Sequence, residues 1–289
     1  MMTGENHESM TIKIITDGSS DLTQELSEQY NITLVPLCVQ FGDEQYKSNM
    51  DTELFYSKMR ASEELPMTSS PSPMAFLTEF KTADPKQPIL VLTLSSVLSS
   101  TYQHALMAKE MYHDEGFTGD VEVIDVKTTS MGLGLIAIRA SEWGHTMAFD
   151  ALITRIHALI KSSHTFFTLD TLENVIRGGR LSRLKGKVAS VLNIKLLMQA
   201  SEEGSVEVVE KLRGTQKAMK HLMDKVGETW HHADKSWIAC AHSNCEERAK
   251  AFMKDLVSKY PFDKVIITNM GPVIGTYAGE GGILVSYSS

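Results

Sequence analysis

The chain has 289 residues, 42% hydrophobic and 22% charged, which is the composition of a folded globular protein and a length that suits two α/β domains. Its formal net charge of −8 argues against a general affinity for nucleic acid, because such binding rests on Lys and Arg neutralising phosphates. No apolar run is long enough to cross a bilayer, and three cysteines (Cys38, Cys240 and Cys245) are too few and too odd in number for a disulfide framework.

Residues 1–10 are polar, lack an apolar signal core and read as a disordered tail; a cytoplasmic location is expected. Residues 12–16 predict a buried strand that stops at Asp17-Gly18-Ser19-Ser20. Asp21 and Gln24 have the spacing of a capping box for a helix to about residue 30. A second strand is predicted over 33–41, with Pro36 marking an edge or an irregularity. Gly42-Asp43-Glu44 turns the chain, and a helix is predicted over 52–60. A proline-stiffened, hydroxyl-rich segment, Thr68-Ser69-Ser70-Pro71-Ser72-Pro73, leads into a helix that buries Phe76, Leu77 and Phe80.

The continuous apolar run 89–94 predicts a strand at the centre of a parallel sheet. It ends in Ser95-Ser96-Val97-Leu98-Ser99-Ser100-Thr101, followed by a helix to about 111. A strand over 121–126, a helix capped by Thr128-Thr129-Ser130 and a helix over 149–162 complete a doubly wound pattern. The style then changes. Segments 194–199 and 206–212 flank the turn Ser201-Glu202-Glu203-Gly204 and predict a hairpin. Helices over 215–230 and 246–259 alternate with strands over 237–241, 264–269 and 283–287. The expected architecture is α/β with two domains: a doubly wound parallel sheet in 11–165 and a mixed α/β domain in 166–289.

Two strand-end loops are packed with hydroxyls and hold no Lys or Arg: 68–70 and 95–101. Hydroxyls beside the N–H groups of a helix start make a cradle for a singly charged carboxylate; the plainer reading is helix capping. No Gly-x-Ser-x-Gly elbow occurs and no serine has a base assigned by spacing, which speaks against a stand-alone hydrolase. His231, His232 and His242 sit in polar stretches and read as solvated. The glycines of Gly132-Leu133-Gly134 fall inside a helical pattern, so no nicotinamide cofactor is expected, and small residues there suit close helix packing. Cys240 to Cys245 lacks a second ligand cluster, so no metal is expected; Cys38 reads as a small core residue. Arg177, Arg180 and Arg183 form the one concentrated basic patch and read as a docking surface. The glycine-dense stretch 269–282 reads as an apolar, ligand-lining loop.

Five of these segments, taken in order, resemble landmarks of the DegV family. They are Asp17-Gly18-Ser19-Ser20-Asp21-Leu22, Thr68-Ser69-Ser70-Pro71-Ser72-Pro73, Leu94 through Gln103, Gly178-Gly179-Arg180-Leu181-Ser182 and Gly271-Pro272-Val273-Ile274-Gly275-Thr276. The resemblance implies two α/β domains with a long-chain fatty acid, such as palmitate or stearate, in a tunnel between them. It implies a carboxylate held by Thr68 and Ser96, with Ser95, Ser99 and Tyr277 beside them. It also implies a non-catalytic, lipid-binding protein that presents the acid to a separate ATP-dependent kinase for phospholipid synthesis, with Arg180 at that encounter. Many relatives have His where Tyr277 stands, so a phenol replaces an imidazole there. The alternative is a stand-alone α/β enzyme acting on lipid or phosphate esters.

Overall fold

The computed structural model describes residues 11–181 and 194–289. Four parallel strands form the first sheet: β1 (Lys13–Asp17), β2 (Ile32–Val35), β6 (Ile89–Thr93) and β7 (Val121–Asp125), in the order β2-β1-β6-β7. The interior strand β6 is buried at every position, which is why its sequence is a continuous apolar run. A small antiparallel sheet stands beside it, with β3 (Cys38–Phe41) between β4 (Glu44–Lys47) and β5 (Met67–Ser69).

The second large sheet has six strands in the order β10-β9-β8-β13-β11-β12. They are β8 (Ser163–Thr168), β9 (Ile194–Ala200), β10 (Val206–Arg213), β11 (Asp234–His242), β12 (Lys264–Asn269) and β13 (Ile283–Ser288). β11 and β12 are parallel and the other pairs antiparallel, so the sheet is mixed as expected.

Helices fill the spaces around the sheets. α3 (Pro73–Phe80) and α4 (Thr101–Asp114) cover the outer face of the first sheet, and Phe76, Leu77 and Phe80 are fully buried there. α5 (Met131–Gly144) and α6 (Phe149–Ser162) share one core with the inner faces of both large sheets. α8 (Thr215–Thr229) and α9 (Glu246–Lys259) cover the outer face of the second sheet. α5 is apolar nearly all round because it is buried all round. A Cβ at Gly134 would lie 2.6 Å from the Ser20 carbonyl, so the glycines of this helix serve close packing. Shorter helices are α1 (Gln24–Gln29), α2 (Thr52–Ala61), α7 (Glu173–Arg177) and α10 (Pro272–Ala278).

Several local expectations change. The strand expected over 33–41 is two strands in two sheets, because Pro36 cannot donate to a ladder and the chain crosses over there. Thr23, not Asp21, caps α1 by accepting from the Leu26 N–H at 3.2 Å. The loop expected at 269–282 contains α10, started by Pro272 in its first turn. His242 is only 5% exposed rather than solvated, and burial holds its pKa below the usual imidazole value. Cys38 is half-buried, whereas Cys240 is fully buried. No group of three His, Cys, Asp or Glu that could hold a metal occurs among the described residues. No helix among them is long and apolar enough to cross a membrane.

Candidate functional site: a cavity between the two sheets

The C-terminal ends of β1, β6 and β7 lie side by side, where loops of an open parallel sheet gather ligands. Asp17, at the end of β1, is fully buried. Its carboxylate accepts from the Leu94 N–H at 2.8 Å and from the Ser19 N–H and hydroxyl at 2.9 and 2.6 Å. These bonds fix where the chain leaves β6 and enters residues 95–100. Asp21 then spans the molecule. It accepts from the Ser130 hydroxyl at 2.5 Å, at the start of α5, and from the Gly271 N–H at 2.8 Å, at the start of α10. Burial is the first cause that raises both carboxyls, and Asp21 is pushed up to about 7.

A cavity of about 440 Å³ opens between these loops and the second sheet, within the range of small-molecule sites. Its apolar wall comes from Leu37, Leu94 and Leu98 on one side and from Phe167, Leu169, Val175, Val206 and Leu284 on the other. α10 adds Val273, Ile274, Tyr277 and Ala278. Thr128 and Thr165 also line it. Their hydroxyls bond each other at 3.0 Å and would lie 2.7 and 2.6 Å from a Cβ at Gly132. That position needs a glycine.

Polar groups gather at one end. Pairing of β5 with β3 sets Thr68 opposite Val39, and the Thr68 hydroxyl lies 2.5 Å from the Tyr277 hydroxyl. The Arg180 guanidinium sits 4.6 Å from the centre of the Tyr277 ring and donates to the Gly178 carbonyl at 2.7 Å. Gly178 has no room for a side chain, since a Cβ would lie 2.5 Å from Tyr277 Cε1. The Ser70 hydroxyl lies 3.1 Å from that of Ser99 and 2.7 Å from that of Ser100. His104, on the first turns of α4, donates from Nδ1 to the Pro71 carbonyl at 2.7 Å. Arg180 and His104 line the cavity, and no Asp, Glu or Lys does so among the described residues.

Of the residues singled out from sequence, Thr68, Ser99, Tyr277 and Arg180 converge on this cavity. Ser95 and Ser96 do not line it. Ser95 is fully buried, its hydroxyl accepts from the Val97 N–H at 3.2 Å and it packs against Gly204 of the β9–β10 turn. Ser96 is exposed, and its N–H is held by Asp125 at 3.2 Å. Arg177 forms an ion pair with Glu173 at 3.1 Å, and Arg183 lies outside the described residues. His104 and the threonine pair escaped the sequence reading. The signal for His104 was its place one helical turn after Ser100.

Fold and site together define a two-domain α/β protein with a parallel and a mixed sheet, enclosing a largely apolar cavity with one polar end. The chain belongs to the DegV family: the family model described as "Uncharacterised protein, DegV family" matches residues 11–289. A DegV domain-containing protein of Listeria innocua is 30% identical over 284 residues, spanning 96% of this chain and 98% of the relative. A DegV family protein of Ruminococcus gnavus, solved with vaccenic acid, is 30% identical with a TM-score of 0.88, covering 96% of this chain and 99% of that one. The Streptococcus pneumoniae Fatty Acid Kinase (Fak) B3 protein, solved loaded with linoleic acid, is 26% identical with a TM-score of 0.85, covering 96% and 99%.

Proposed function

We propose that the cavity holds one long-chain fatty acid, with its alkyl tail along the apolar wall and its carboxylate at the end formed by Thr68, Ser99, Tyr277 and Arg180. The observation that carries this reading is the cavity itself, with a largely apolar wall and with Thr68, Ser99, Tyr277 and Arg180 among its lining residues. The acids named for the Ruminococcus and Streptococcus structures support it. At about 0.8 kcal/mol per buried CH₂, a tail of about fourteen methylenes supplies roughly 11 kcal/mol gross. Lost free motion and ordering of the tail take back several of these. Tail burial supplies affinity, and the polar end selects the head group.

In this reading the protein is a non-catalytic carrier that needs no cofactor and presents the acid to a separate fatty acid kinase. Arg180, at the polar end, stands where that partner meets the head group. Residues 11–165 supply most of the hydroxyl end, and 166–289 supply most of the apolar wall. The serines at the polar end bond one another, and His104 bonds a backbone carbonyl, so no nucleophile–base pair is set up there.

The test is reconstitution. Delipidated protein should bind palmitate one to one, and acyl phosphate should form from ATP only when a fatty acid kinase is added. Turnover of acyl esters or ATP by the protein alone would overturn the carrier reading.

A further inference from the structure

We propose that His104 is a head-group determinant of this cavity, selecting a carboxylate over an uncharged head group by donating an Nε2–H hydrogen bond from an imidazolium ring. The proposal rests on the fatty acid reading above and assigns to it a residue and a proton.

The Pro71 carbonyl can only accept, so the 2.7 Å contact at Nδ1 requires that nitrogen to carry its hydrogen. With Nδ1–H committed, the neutral ring has a bare lone pair at Nε2, and no protein group bonds Nε2 among the described residues. A lone pair repels a carboxylate. The protonated ring donates from both nitrogens, to the Pro71 carbonyl and to an anion in the cavity. Binding the anion and taking up a proton are then one event.

Charge balance points the same way. The cavity hydroxyls can donate hydrogen bonds, but they cannot offset a negative charge removed from water. Arg180 is one positive group, spread over the Tyr277 ring and already bonded to the Gly178 carbonyl. Among the described residues, His104 is the other lining residue able to carry positive charge.

The surroundings of His104 hold few competing charges. Residues 67–74, 95–100 and 101–108 contain no ionisable side chain besides His104 and Tyr102. α3, packed on α4, brings Glu79, and β6 brings none. β7 brings Glu122, paired with Lys109 at 3.1 Å, and Asp125, paired with Lys127 at 2.7 Å. Arg180 and Tyr277 also line the cavity.

The experiment is calorimetric titration of delipidated protein with palmitate and with 1-hexadecanol, at pH 7.5, in two buffers of different ionisation enthalpy. The wild type should take up protons with palmitate and none with hexadecanol. His104→Gln keeps an N–H for the Pro71 carbonyl but cannot be protonated. It should take up no proton, bind palmitate about tenfold more weakly and change much less toward hexadecanol, which also reports that the variant is folded. Equal losses for both ligands, or unchanged proton uptake in His104→Gln, would overturn the proposal. Wild-type protein that binds palmitate without proton uptake would overturn it alone. Wild-type protein that binds neither ligand would overturn the fatty acid reading, and this proposal with it.

Discussion

At the scale of single residues, the polar end works through hydroxyl pairs. Thr68 and Tyr277 share one short hydrogen bond across the two halves of the chain, 209 residues apart in sequence. Tyr277→Phe removes one partner and should cost about 1 kcal/mol of folding stability, read by denaturant unfolding. Palmitate loading should weaken with it, because the ring keeps its place under Arg180 while the head group loses a donor. Gly178→Ala is a sharper test of the same spot. Its Cβ would meet the Tyr277 ring at 2.5 Å, so the ring must shift, with a cost of about 1–3 kcal/mol in thermal unfolding and weaker loading. An unchanged melting temperature and unchanged loading would mean the ring is not held as described.

At the scale of elements, Asp21 ties the ends of three units together: the loop after β1, the start of α5 and the start of α10. Burial raises its carboxyl from 3.8 to about 7, and Asp17 is raised by the same cause. The folded state therefore holds protons that the unfolded chain releases as pH rises above about 4. The contribution of Asp21 should fall as pH rises from about 4 to about 7 and level off above that, by about 4 kcal/mol across the window, while His242, held below the usual imidazole value, adds an opposite slope. Unfolding followed against pH should show this slope as the difference between the wild type and Asp21→Asn. A difference between the two that does not change with pH over that window would contradict the assignment.

Element scale is also where sequence reading succeeded and failed for visible reasons. Helices α3, α6 and α9 were legible because periodicity and burial agree in them, and strand β6 because its unbroken apolar run matches burial at every position. α10 was read as a loop because its glycines look like breakers. Gly275 in fact lies against Phe55 and Tyr56, where a Cβ would be 2.7 Å from Phe55 Cε1, so it is a packing glycine inside a helix. Asp21 satisfied the spacing of a cap, yet its φ of 54° turns it toward groups far away in sequence. Ser96, with Ser95 beside it, was assigned through the family resemblance. Ser95 packs against Gly204 and the Ser96 N–H is held by Asp125, long-range neighbours that the local sequence does not reveal.

At the scale of the whole molecule, the two large sheets share one core through α5 and α6, and the cavity opens at the seam. A ligand seated there touches both halves, so occupancy should couple to global unfolding. Palmitate at about one hundred times its Kd should add about 2.7 kcal/mol to the stability of the delipidated protein, seen as a melting temperature that rises with ligand concentration. A melting temperature indifferent to palmitate would place the acid elsewhere.

The most direct measurement is mass spectrometry of purified protein, first native and then denatured. The expected result is a native mass above that of the chain by one long-chain fatty acid, and release of that acid on denaturation. A bare native mass that persists after incubation with palmitate, stearate and an unsaturated acid would contradict it.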